Sequence, residues 1–158
     1  ACRAWAKSQP ASIASVELPD HFNPQVEADI VFIYAYYISH LVDRCTRWHA
    51  TTLIETKEGI SLINAIDGVW VSMHGPMKEL ITDNESGIAK CAMTQEYLKR
   101  KGIKFSPRAP GQHARIVERR GALLRDTIHR IDEQLKHGGL DMPFNIRLSE
   151  ATFAGAPF

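Results

Sequence analysis

Three runs of apolar, β-branched and aromatic residues, 26–34, 36–42 and 48–54, follow one another with few polar interruptions. Each has the length and composition of a strand, and their close succession predicts a three-stranded antiparallel meander. The first turn, near Ala35, carries neither Gly nor Asn, so its boundary stays open. The period then lengthens. Ile63, Ile66, Trp70 and Met73 recur at helical spacing behind Thr56, a residue suited to cap them, and Gly75-Pro76 ends the pattern. A short strand to Thr82, a helix over about 88–101 stopped by Gly102, and a short strand through Phe105 come next. A long helix over about 113–136 sets Val117, Leu124, Ile128, Ile131 and Leu135 on one stripe and ends at Gly138-Gly139. A last helix begins near Met142-Pro143, since Pro fits a first turn. A meander followed by strand-helix-strand alternation predicts an α/β fold. Its mixed five-stranded sheet has three antiparallel strands, then two parallel ones, with helices on its faces. Residues 1–24 mix Ala, Ser and Pro without sustained periodicity and read as a linker.

Composition narrows the function classes only modestly. A chain of 158 residues with 44% apolar and 23% charged residues is an ordinary single globular domain. No run of 18 apolar residues and no basic-then-apolar leader is present, so the expectation is an intracellular chain without a membrane partner. Cys2, Cys45 and Cys91 cannot build a disulfide framework, which fits a reducing compartment. No Cys-x-x-Cys or His-x-x-x-His spacing writes a zinc site. His40, His49 and His74 have no ligand spacing and read as structural. With 19 basic against 18 acidic residues, any grip on nucleic acid has to be local.

The chemistry lies in the acids. Asp29 sits inside the first strand run, Asp83 ends the run Leu80-Ile81-Thr82, and Glu118 opens the long helix in Ile116-Val117-Glu118-Arg119. Three carboxylates from separate elements can ligate two divalent cations for phosphoryl transfer. Spacing alone is a weak motif, because an acid within one position of any chosen offset occurs by chance roughly a third of the time. The surrounding residues add specificity. From residue 26 to 135 the chain resembles the catalytic core of retroviral and retrotransposon integrases, especially those of copia-like elements. The resemblance rests on Asp29, on Thr82-Asp83-Asn84, on Val117-Glu118-Arg119 and on Gly102-Ile103-Lys104-Phe105 before a Pro-rich loop.

That resemblance implies an RNase H-like fold, with residues 25–158 as the integrase catalytic core, and an Asp-Asp-Glu triad of Asp29, Asp83 and Glu118. It implies two Mg²⁺ (or Mn²⁺) ions, Asp29 and Asp83 holding one, Asp29 and Glu118 the other. The implied reactions are trimming of element DNA ends and strand transfer into target DNA in the host nucleus or cytoplasm, by a homodimer or larger oligomer. Leu123, Ile146 and Phe153, unused by the main stripes, are candidates for the dimer surface. Lys104, Arg108, His113, Arg115, Arg119 and Arg120 bracket Glu118 and are the candidate DNA contacts. In the resembling family a zinc module precedes the core, and Cys2 reads equally as its last ligand or as an ordinary thiol.

The chain departs from the family at three points: Val26 stands where Trp is usual, Glu85 replaces the Gly after Asp-Asn, and Ala114-Arg115 replaces a Gly-containing stretch before Glu118. A catalytically decayed or domesticated module is therefore one alternative. An RNase H-type nuclease is the other, with Asp43 as its additional acid on a loose reading; in Leu41-Val42-Asp43-Arg44 it resembles instead a strand-end residue of the integrases.

Overall fold

The structure, a computed structural model, describes residues 18–83, 87–108 and 115–157. Five strands form one sheet: β1 (Gln25–Ile33), β2 (Tyr36–Asp43), β3 (His49–Ile54), β4 (Glu79–Thr82) and β5 (Lys104–Pro107), ordered β3-β2-β1-β4-β5. The first three pair antiparallel, whereas β4 lies parallel to β1 and β5 parallel to β4. This is the mixed sheet expected from the pattern. The β1-β2 turn is Tyr34-Ala35, and Tyr34 takes φ 53° at the first loop position, as primed hairpin turns require there.

Alternation along β1 divides the molecule into two cores. Val26 and Ala28 face one side with Leu41, Leu62, Ile66, Trp70, Leu80, Ile88 and Leu98. Val31 and Ile33 face the other with Ile38, Leu124, Ile128, Phe144 and Leu148. The first layer is made by α1 (Gly59–Ile66), a π-helical turn (Asp67–Val71), α2 (Ser72–His74), α3 (Gly87–Lys90) and α4 (Ala92–Lys101). The second is α5 (Arg115–Gly138), laid across β1 and β2, with α6 (Phe144–Ala154) against it. Strand side chains point alternately to opposite faces, so Asp29, two positions before Val31, faces the α5 side.

Two helical expectations are corrected. The first helix starts at Gly59 with Glu58 at the cap position; Thr56 instead shares a 2.9 Å hydrogen bond with Ser61 Oγ. The π-helical turn then shifts the helical phase, which turns Val71 inward and leaves Met73 exposed rather than on the stripe. The expected continuous helix over 88–101 breaks at Cys91, whose φ −112° and ψ 119° are extended. Thr94 Oγ1 lies 2.7 Å from the carbonyls of both Ile88 and Cys91, which share its one proton, and Gln95 donates to the same two carbonyls from its Nε2 and its backbone N–H, so the groups that the break frees are satisfied.

The long helix carries the expected stripe, with Val117, Leu124, Ile128 and Ile131 buried and Leu135 packed at the margin. Residues 1–17, including Cys2, lie outside the described residues. Just before β1, Asn23 is already part of the packed body: its amide donates to the carbonyls of His74 and Gly75, and its Oδ1 accepts the Trp70 indole N–H at 2.7 Å.

Candidate active site

The β1-β4 pairing brings two of the candidate acids side by side. Val26 stands opposite Leu80 and Glu27 opposite Ile81 in parallel register, and two further steps along both strands reach Asp29 and Asp83. Adjacent strands run about 4.8 Å apart. Asp83 leaves β4 immediately after Thr82 and is exposed. Glu118 comes from the first turn of α5, next to Val117, which packs on Val42 of β2.

The electrostatics tie the three together. Asp29 is half-buried, and its Oδ1 accepts the Ile30 N–H at 2.8 Å. Burial pushes its carboxyl up to about 6; the Ile30 bond opposes this, and the negative charges of Asp83 and Glu118 add to it. An acid driven upward by burial and by two neighbouring acids is placed where a cation would relieve all three effects. Carboxylate oxygens are the ligands that Mg²⁺ prefers, so the donor set fits that ion. Among the described residues, however, no three His, Cys, Asp or Glu side chains converge closely enough to hold one ion. Glu118 thus neighbours the Asp29–Asp83 pair without closing a cage around it.

A cavity of about 240 Å³ opens beside the pair. Asp29, Asp83, Ser39, Thr82 and Lys57 line it, together with Leu62, Ile66 and Ile88 of the first helical layer.

Other acids are differently engaged. Asp43 accepts the backbone N–H of Asn23 at 2.8 Å and both the N–H and hydroxyl of Thr46, at 2.7 and 2.8 Å. It closes the β2-β3 turn, the strand-end role expected, and both its oxygens are spoken for. Glu27, 1% exposed and on the same face of β1 as Asp29, was not singled out by the sequence pattern. Burial raises its pKa against the pull of Arg44, Arg108 and Arg47, and its Oε2 stands 4.0 Å from Arg44 Nε. The available signal was a charged residue at an inward position between two buried apolar ones.

The candidate DNA contacts scatter in environment. Lys104 and Arg119 are exposed, on β5 and α5. Arg108 follows β5, its N–H donating to the Thr82 carbonyl at 2.7 Å, and its guanidinium acts on Glu27. Arg120 donates to the carbonyls of Gly155 and Arg47 at 3.1 and 3.2 Å, so it ties α5 to the chain's end and to the β2-β3 turn. Arg115 begins α5, while His113 and the Asn84-Glu85 pair lie outside the described residues.

His40 and His49 form a buried pair. His49 Nε2 must donate to the Thr152 carbonyl at 2.7 Å, which leaves its Nδ1 to accept from His40 Nε2 at 2.9 Å. Burial lowers the pKa of both, that of His40 to about 3, so the pair is neutral.

Comparison with known proteins places this geometry among solved structures alone. No family model matches the chain, and no curated protein sequence matches it. A chain of the simian T-cell lymphotropic virus intasome, solved in complex with PP2A regulatory subunit B56 gamma, superposes with a TM-score of 0.74 at 20% identity over 87% of this chain. The match spans 48% of that intasome chain, about half its length. The HTLV-2 integrase catalytic core domain in complex with magnesium, in trimeric and dimeric forms, gives a TM-score of 0.68 at 18% identity over 87% of this chain. There the match spans 85% and 86% of the two core chains. The chain has the RNase H-like fold of integrase catalytic cores.

Proposed function

We propose that this chain is the catalytic core of an integrase, related to those of copia-like retroelements, that cuts and joins DNA phosphodiesters with divalent metal. The observation that carries the reading is the shared electrostatic neighbourhood of Asp29, Asp83 and Glu118, on the three elements that build this fold's centre. Asp29 and Asp83 would hold one Mg²⁺, and Asp29 with Glu118 a second. Bound metal would supply activation of the attacking oxygen and stabilisation of the leaving one. The magnesium in the HTLV-2 core structures supports the choice of ion.

Within this reading the residues divide the work. Asp29, anchored by the Ile30 N–H on the central strand, would hold the cation that positions the reacting phosphate relative to the sheet. Asp83, exposed at the end of β4, would be the cation ligand on the solvent side. Glu118 approaches from α5, and its move toward Asp29 would complete the ligand set. Lys104, Arg108, Arg115 and Arg119, with His113, are proposed to take DNA phosphates, Arg120 only insofar as its carbonyl bonds leave it free. The partners are element-end and target DNA and a second copy of the chain, acting in the host nucleus or cytoplasm.

One observation favours a second reading, an integrase-derived DNA-binding or dimerisation module without turnover: the three acids stop short of converging on one ion among the described residues. Incubating the chain with a branched DNA that mimics an integrated end separates the two. Mg²⁺-dependent release of the joined strand, lost in D29N, supports the catalytic core. DNA binding with no strand release at any Mg²⁺ or Mn²⁺ concentration supports the inert module.

A further inference from the structure

The cavity beside Asp29 and Asp83 has two acids in its wall and one lysine, and the backbone holding that lysine is clamped to the segment that follows Asp83. Gly87 and Gly59 make the clamp. A Cβ on Gly87 would come within 2.6 Å of the Lys57 carbonyl oxygen and 3.0 Å of the Gly59 nitrogen. A Cβ on Gly59 would come within 2.7 Å of the Gly87 oxygen and 2.9 Å of Cys91 Cβ. Glu58 and Gly87 pair as a parallel bridge at the same point. Backbones approach this closely only where both sides lack side chains. Lys57 is exposed, and its ammonium stands 5.1 Å from the centre of the Tyr37 ring, within cation–π range.

A phosphodiester reaching this cavity passes Asp29 and Asp83, two like charges, and the whole chain contributes a formal charge of only +1. Attraction has to come from a cation at the cavity itself. Contact with the ring face of Tyr37 uses none of the ammonium's three donors, which leaves them to phosphate oxygens.

We propose that Lys57 anchors the substrate's phosphate beside the Asp29–Asp83 pair, and that the Gly59–Gly87 clamp holds it in register with Asp83. The proposal deepens the DNA-processing reading above and rests on it for the identity of the substrate. Lys57 contacts the substrate rather than the reacting bond, so its loss acts on affinity more than on turnover.

The test measures binding of a fluorescent blunt-ended DNA duplex by anisotropy over a KCl series, for wild type, K57A, K57R and the control K136A at the far end of α5. K57A is expected to weaken binding about 3- to 10-fold and to reduce the log–log salt slope by about 0.9, as one lost phosphate contact does. K57R retains both, and K136A, which removes the same charge elsewhere, changes the slope less. G87A keeps the charge but displaces it, and is expected to fall between K57A and wild type. With Mg²⁺ and a branched substrate, K57A raises KM by a larger factor than it lowers kcat. Indistinguishable slopes and affinities for K57A and K136A overturn the anchor, as does failure of K57R to restore binding. A wild-type chain that binds DNA through Lys57 but never cuts it overturns the catalytic reading and leaves the anchor standing. One that cuts DNA indifferently to Lys57 does the reverse.

Discussion

Replacing Asp29 by Asn is expected to stabilise the metal-free protein while removing its response to Mg²⁺. Burial and two neighbouring acids lift the Asp29 carboxyl from 3.8 to about 6. Each pKa unit corresponds to about 1.4 kcal/mol, so the ionised form opposes folding by at most about 3 kcal/mol at neutral pH. Asp29 is only half-buried, and solvent screening brings that to about 1–2 kcal/mol. Asn retains an Oδ1 to accept the Ile30 N–H, so the exchange removes the charge and keeps the bond. For a chain of this size the gain is roughly 3–6 °C in Tm. The sign follows from the raised pKa: the Asp29 contribution is fully favourable below 3.8 and is lost as pH rises through about 6. The advantage of D29N should therefore be largest at pH 7.5 and nearly gone at pH 4. Saturating Mg²⁺ should raise the wild-type Tm and leave that of D29N in place, since ligand binding to the folded state alone stabilises it. Thermal unfolding of both proteins across pH, with and without Mg²⁺, measures all of this. A D29N protein less stable than wild type at pH 7.5, or a difference that does not change with pH, would mean that the Asp29 charge does not oppose folding.

The His40–His49 pair carries the opposite pH dependence. His40 stays neutral in the fold down to about pH 3 but takes a proton at 6.5 when unfolded, so its contribution is complete above 6.5 and is lost as pH falls. In the D29N background, urea unfolding should lose about 2 kcal/mol between pH 7 and pH 5, and a flat profile would contradict the neutral pair. Duplex DNA should bind weakly, without sequence preference and with a shallow salt slope, because 19 basic residues barely exceed 18 acidic ones; nanomolar sequence-specific binding at physiological salt would refute this. Leu123, Ile146 and Phe153 are exposed at 52%, 47% and 70%, which supports a homodimer through surfaces away from the acids. Sedimentation should then detect dimer at high micromolar concentration, and a monomer throughout counts against it.

Much of the fold was legible because its two periods are cleanly separated. The strand runs and the Val117-to-Leu135 stripe follow from burial on one face, which the sequence writes directly. What escaped the sequence depends on tertiary contacts. The π-helical turn that exposes Met73, and the break at Cys91, are local geometries that buried neighbours stabilise against the simple period. Asp29, Asp83 and Glu118 were readable as types in context, but their nearness comes from the parallel β1-β4 register and the path of α5. Lys57 was invisible as a site residue because nothing local distinguishes it from a solvated lysine. Its place comes from two glycines 28 positions apart, Gly59 and Gly87, which meet only in the folded chain.

Anomalous diffraction from crystals soaked in Mn²⁺ would show whether Asp29, Asp83 and Glu118 bind metal, because it locates the ion rather than inferring it from activity. Density is expected between the Asp29 and Asp83 carboxylates with Glu118 drawn toward it, all three carboxylates within about 10 Å of one another, and none at that position in D29N crystals. Wild-type crystals with no ion there under saturating Mn²⁺, or with Mn²⁺ only at other acids, would contradict it.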